Sequence, residues 1–111
     1  MVDEQIGELI EELKEFAEEN IIIVEGKKDV RALARYGIAS VPLKGGLDAF
    51  VEEVFANEQP RSVLILTDYD EQGNILHTQL KTALSRYGIE ENAHLRRKFH
   101  SITRLSHIEG F

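Results

Sequence analysis

The chain has no cysteine, which excludes disulfides, thiolate metal sites and a cysteine nucleophile. It also lacks any apolar run approaching the roughly 18 residues of a membrane span, and it lacks a basic-then-apolar leader. These absences predict a cytoplasmic protein with no membrane partner. The common phosphate-binding glycine loops are missing too. Lys44-Gly45-Gly46 does not end as a Walker A loop does, and no Gly-x-Gly-x-x-Gly occurs. His77, His94, His100 and His107 have no zinc-site spacing; His107 and Glu109, close to the terminus, could reach the site, but exposed surface is the preferred reading. Nor is there an excess of basic residues: 13 Lys and Arg face 20 Asp and Glu, a net charge of −7. That acidity is local. Residues 1–20 hold eight acids against Lys14 alone, and the rest of the chain is balanced, so a polyanion can approach the body if the acidic segment lies elsewhere.

What is present suits a soluble globular fold: 42% hydrophobic and 30% charged residues in 111, enough for one core. Ile6, Leu9, Ile10, Leu13, Phe16 and Ala17 recur at helical spacing with acids opposite. They predict an amphipathic helix over 3–19, capped by Asp3, that packs on the body. Residues 1–20 are therefore read as an acidic helix and 21–111 as the globular domain. Residues 20–24 predict a strand, 28–36 a helix ended by Gly37, and 40–43 a second strand. Leu47, Phe50, Val51, Val54 and Phe55 predict a helix stopped by Asn57–Pro60. Residues 62–67 predict a third strand, 74–87 a helix ended by Gly88, and 93–99 a fourth strand; 100–111 is left unassigned. Strands alternating with helices give an α/β fold, a mainly parallel sheet of about four strands with helices on both faces and an extra N-terminal helix.

Two strand ends carry the chemistry. Ile21-Ile22-Ile23-Val24 runs into Glu25-Gly26-Lys27, and Val63-Leu64-Ile65-Leu66-Thr67 into Asp68-Tyr69-Asp70-Glu71-Gln72-Gly73. Ligands of open α/β sheets bind at the carboxyl ends of the strands. Asp68 and Asp70, two residues apart on extended backbone, point the same way and repel each other unless a cation lies between them. Mg²⁺, which takes one or two carboxylates plus substrate phosphate, fits; Mn²⁺ is an alternative. The simpler reading is that the two aspartates end a strand and cap a helix. If the first and third strands are neighbours, Glu25 joins them as a metal ligand or a general acid or base, with Lys27 as a phosphate clamp. Lys27, Lys28, Arg31 and Arg35 share a helix face, and with Lys44, Arg96, Arg97, Lys98, His100 and Arg104 they could form a rim facing phosphates.

Glu25, Gly26, Lys27 and Asp29 after one strand, then Asp68, Asp70 and Gly73 after another, resemble the Toprim domain over about 21–100. That domain is shared by type IA and type II topoisomerases, bacterial primases, OLD-family nucleases, the recombination protein RecR and the ribonuclease that matures bacterial 5S ribosomal RNA. The Val24-Glu25-Gly26-Lys27 opening is most similar to the 5S-maturase type and to small stand-alone Toprim proteins. The resemblance implies a Rossmann-like sheet, a catalytic glutamate at Glu25, Mg²⁺ ligands at Asp68 and Asp70, and the making or breaking of phosphodiester bonds. Several relatives carry an acid directly after the motif glycine, where this chain has Asn74.

Tyr36, Tyr69 and Tyr87 have no context of a topoisomerase nucleophile, and primer synthesis uses further domains. The expected function is a Mg²⁺-dependent nuclease or phosphotransferase acting on structured RNA or DNA. Its nucleic-acid contacts are expected at Lys27, Lys28, Arg31, Lys44, Arg96 and Arg97. The alternative is a non-catalytic nucleic-acid or protein-binding module, as RecR exemplifies, with a protein partner or a second copy of the chain. Phosphatase chemistry of the haloacid-dehalogenase kind also uses Asp-x-Asp, but after the first strand, so it is set aside.

Overall fold

A β-branched run such as Ile21–Val24 cannot bury both faces of a strand without helices above and below, and the chain supplies them in alternation. The structure, a computed structural model, describes residues 3–56 and 62–111. In order it forms α1 (Glu4–Glu19), β1 (Ile21–Val24), α2 (Lys27–Ala34), β2 (Val41–Pro42), α3 (Leu47–Phe55), β3 (Ser62–Leu66), α4 (Glu71–Arg86), β4 (Glu90–Glu91), α5 (Ala93–Thr103) and a 3-10 turn (Ile108–Gly110). The expected helix stop at Asn57–Pro60 lies outside the described residues.

The sheet is wholly parallel, in the order β2-β1-β3-β4. β1 and β3 are adjacent along their whole length, Ile21 opposite Val63 through Val24 opposite Leu66. The chain leaves β1 towards β2 on one side and resumes at β3 on the other. The switch point of the fold thus falls between the carboxyl ends of β1 and β3, where Glu25 and Asp68 begin their loops.

Side-chain alternation sorts the core into two layers. Ile22, Val24, Leu64 and Leu66 face Leu9 and Leu13 of α1, Leu33 of α2, and Leu95 and Phe99 of α5. Ile23, Val63 and Ile65 face Phe50, Val51 and Phe55 of α3 and Leu80, Ala83 and Leu84 of α4. Asp3 caps α1 as its position predicts, its carboxylate accepting from Gln5 N, and α1 is tied to α5 by Lys98 Nζ on Glu12 Oε1 at 2.6 Å. Gly37 and Gly88, which follow α2 and α4, have φ of 77° and 71°, the left-handed conformation expected of glycine there.

One expected element is corrected. Residues 93–99, expected as the fourth strand, are the start of α5, and the fourth strand is the two-residue Glu90–Glu91. The apolar residues Leu95, Phe99 and Ile102 have helical rather than alternating spacing, and Asn92 caps the helix by accepting from Leu95 N at 3.0 Å. The unassigned tail completes α5 and then returns to α2 and the Asp68 loop as the 3-10 turn, with Ile108 fully buried.

Gly73 explains its place in the motif. A Cβ there would lie 2.0 Å from the carbonyl oxygen of Asp68 and 2.8 Å from its Cα. Only glycine lets the first turn of α4 rest on the β3 loop, where Thr67 Oγ1 also donates to Gly73 O at 2.8 Å. Gly73→Ala is expected to destabilise the protein by about 1–3 kcal/mol or more, because the obstructing atoms are backbone. Urea denaturation measures this, and an unchanged midpoint would show that the loop yields without cost.

Candidate metal centre

The two motif aspartates do different structural work from positions two residues apart. Asp70 is the N-cap of α4, its Oδ1 accepting from Gly73 N at 2.8 Å. Asp68 lies at the end of the strand, and its Oδ1 accepts from Ile108 N at 2.9 Å. Each carboxylate is thereby oriented by one backbone N–H. His107, immediately before that N–H, places Nε2 3.2 Å from Asp70 Oδ2. One donor atom from each of Asp68, Asp70 and His107 lies within 4.8 Å of the others. Two carboxylates and an imidazole at this separation form a donor set that fits a divalent cation.

Glu25 reaches the same loop from β1. Its Oε2 accepts from Asp68 N at 2.7 Å, so it fixes the backbone of Asp68 rather than joining the three clustered donors. Its proton affinity is raised, chiefly by burial; the bond from Asp68 N opposes this, and the charges of Asp68, Asp29 and Asp70 add to it. Asp29 is buried and accepts from Gly26 N at 3.1 Å, closing the start of α2. Burial raises its proton affinity as well, offset by the bond from Gly26 and reinforced by Asp68 and Glu109. Four carboxylates thus crowd the switch point, an arrangement that bound positive charge relieves.

The permanent positive charge beneath them is Arg96. Only 5% exposed, it donates through one terminal nitrogen to Ile65 O and Thr67 O at 3.0 and 2.9 Å. The other reaches Asp68 O and Asn74 Oδ1, both at 3.3 Å. The guanidinium lies 4.2 Å from the centre of the Tyr69 ring, and the Tyr69 hydroxyl donates back to Arg96 O at 2.7 Å. Burial drives the Tyr69 hydroxyl far above its usual range, against the pull of Arg96, so Tyr69 is neutral and structural.

The expected site residues therefore separate. Glu25, Asp68 and Asp70 come together at the switch point. Lys27 and Lys28 are exposed on the first turn of α2 and Arg31 on its next turn, Lys44 is exposed between β2 and α3, and Arg97 is exposed on α5. Arg96 is corrected: expected on a phosphate-facing rim, it is interior, its donors committed to carbonyls at the end of β3. His107, for which exposed surface is the preferred sequence reading over a reach to the site, is half exposed and does reach Asp70. It comes from 37 residues away with no motif spacing, and only the return of the tail to the loop after β3 brings it there.

Residues 20–102 match the family model of the Toprim domain. The chain is 35% identical over 107 residues to a UPF0292 protein of Methanosarcina acetivorans, covering 90% of this chain and 71% of that one. It is 35% identical over 111 residues to a UPF0292 protein of Archaeoglobus fulgidus, covering 94% and 86%. A solved structure of a protein from Aquifex aeolicus superposes with a TM-score of 0.85 at 30% identity, covering 98% of this chain and all of that one.

Two substitutions separate the parts Glu25 plays. Glu25→Ala leaves Asp68 N without its acceptor and is expected to cost about 1–3 kcal/mol. Glu25→Gln keeps an acceptor and removes a charge that burial and neighbouring acids oppose, so its stability stays level with wild type or exceeds it. Because the folded-state proton affinity of Glu25 is raised, its ionisation weakens the native state. The advantage of Glu25→Gln over wild type should therefore grow as pH rises through the carboxylate range. Denaturation midpoints across that range test this; equal losses in both variants at every pH would contradict it.

Proposed function

The chain belongs to the Toprim domain family, and on that premise we propose that it is a metal-dependent enzyme cleaving phosphodiester bonds in structured RNA or DNA. The single observation that carries this reading is the convergence of Asp68, Asp70 and His107 within 4.8 Å at the switch point of a parallel sheet. These three residues would hold the cation, Mg²⁺ or Mn²⁺. A divalent cation bound there supplies charge neutralisation and polarises a phosphoryl oxygen.

The chain's own residues do the rest. Glu25 keeps one oxygen on Asp68 N, and its raised proton affinity suits it to take or give a proton near the acidic pair. Lys27, exposed two residues further on, grips a phosphate. Lys28, Arg31 and Lys44 extend the positive surface along which a strand would lie. Asp29 and Arg96 are positioning residues: one closes the start of α2, and the other holds the loop that carries the aspartates.

A non-catalytic binding module is the second reading, and what favours it is Asn74. Its Oδ1 accepts from Arg96 and its Nδ2 donates to Tyr69 O at 3.3 Å, so this position serves the loop's structure rather than adding a charge.

Incubation of the protein with structured RNA and DNA in Mg²⁺ and in Mn²⁺ distinguishes the readings. Asp68→Asn and Glu25→Gln are each expected to slow cleavage by about 100-fold or more. Cleavage by both variants at the wild-type rate would sink the enzymatic assignment. No cleavage by wild type, with binding that persists in EDTA, would establish the binding module. Imidazole prefers transition metals to Mg²⁺, so calorimetry should show His107→Ala losing more affinity for Mn²⁺ than for Mg²⁺. Equal losses would remove His107 from the donor set.

A further inference from the structure

Beside the acidic centre, between α4 and α5, lies a cavity of about 510 Å³, within the size range of sites that take small organic ligands. It is lined by Tyr69 of the loop that carries Asp68 and Asp70 and by Asn74 on the first turn of α4, so whatever fills it adjoins that centre. Three features define it. On its floor, Glu91 at the end of β4 has a side chain only 3% exposed. One of its carboxylate oxygens meets His77 Nε2, and the other, Oε2, is buried with no hydrogen-bond partner. A buried carboxylate oxygen left without a donor is costly, and here it belongs to a residue that lines an open cavity. The second feature is His100, exposed on α5, whose ring stacks on Tyr69 with centroids 4.5 Å apart and planes 18° apart. Arg97 and Arg104 are the third: both line the cavity, both are exposed, and neither is in an ion pair among the described residues.

An unsatisfied acceptor at depth, a flat ring on one side and two cations at the mouth have the chemistry of one nucleotide. We propose that this cavity binds a single nucleotide of a nucleic-acid strand, with its base against His100, an exocyclic amino group of the base on Glu91 Oε2 and its phosphate on Arg97 and Arg104. Stacking on a side-chain ring is how unpaired bases are commonly held. A carboxylate accepts from a base amino group, and guanidinium groups pair with phosphate through charge-assisted bonds. The cavity prefers bases that carry an amino group, so cytidine, adenosine and guanosine nucleotides bind better than uridine nucleotides. The nucleotide in the cavity flanks the phosphate presented to Asp68 and Asp70. This inference rests on the nucleic-acid reading of the acidic centre, whose substrate it narrows to a strand with an unpaired nucleotide at that position.

The test uses CMP and UMP as probes, titrated in EDTA into the full chain and followed by amide chemical shifts. Wild type is expected to bind CMP more tightly than UMP, with shifts concentrated on α5, His77 and Glu91. Arg97→Gln with Arg104→Asn is expected to weaken both nucleotides by about tenfold or more. Glu91→Gln is expected to abolish the preference for CMP, because its amide can donate to uracil O4 as well as accept from a cytosine amino group. The inference is overturned if wild type binds neither nucleotide at millimolar concentration, if the arginine pair can be replaced without loss, or if CMP and UMP bind alike. A parallel Mn²⁺ titration of wild type keeps the two readings apart. Metal binding without nucleotide binding removes the cavity proposal alone, and nucleotide binding without metal binding removes the metal centre alone.

Discussion

The guanidinium of Arg96 is the fixed point of the molecule's functional end. Burying a charge costs several kcal/mol unless its hydrogen bonds are made, and here Ile65, Thr67, Asp68 and Asn74 all accept from it while the Tyr69 ring lies against its face. Three of those acceptors are backbone carbonyls at the end of β3 and in the loop beyond it, and the fourth is the Asn74 side chain on the first turn of α4. Burial alone weakens the hold of Arg96 on its proton, and the acids Glu91, Glu25 and Asp68, with the Tyr69 hydroxyl, oppose that effect. One buried cation thus satisfies the end of a strand and offsets the crowding of carboxylates above it.

Around that point the loop is held from three sides. Glu25 fixes Asp68 N from β1, the 3-10 turn supplies Ile108 N to the Asp68 carboxylate, and Ser106 O accepts from Tyr69 N at 2.8 Å. The tail is itself anchored by Ile108 in the core and by the Phe111 ring, packed 4.7 Å from Tyr36 and 5.1 Å from Phe99. Aspartates oriented in this way need little reorganisation to receive a cation, which is what a preorganised centre requires. The same loop forms one wall of the cavity between α4 and α5, so metal and strand would meet across Tyr69 and Asn74.

How much of this could be read from the sequence follows from the range of the interactions. The apolar runs at 21–24 and 63–66 gave their strands directly, because a buried parallel strand needs an unbroken apolar run. The α/β class followed from the alternation of such runs with helical spacing. Glu25, Asp68, Asp70 and Gly73 were legible because the switch point makes local motifs of residues that a shared loop must hold. Residues 93–99 misled because Arg96-Arg97-Lys98 interrupts the apolar pattern, and a lone sequence does not say that the first of these is buried. His107 could be raised as reaching the site from its place near the terminus but not chosen over plain surface, because its approach to Asp70 depends on the path of the tail after α5, which no local spacing encodes. Interactions within a motif were readable; those made by returning chain were not.

The account stands on Asp68, Asp70 and His107 forming one divalent-metal centre. A crystal grown with Mn²⁺ and measured at the manganese absorption edge tests that most directly. The account predicts an anomalous peak within bonding distance of a carboxylate oxygen from each aspartate and of His107 Nε2. Saturating Mn²⁺ with no peak there, or with peaks only elsewhere on the acidic surface, would contradict it.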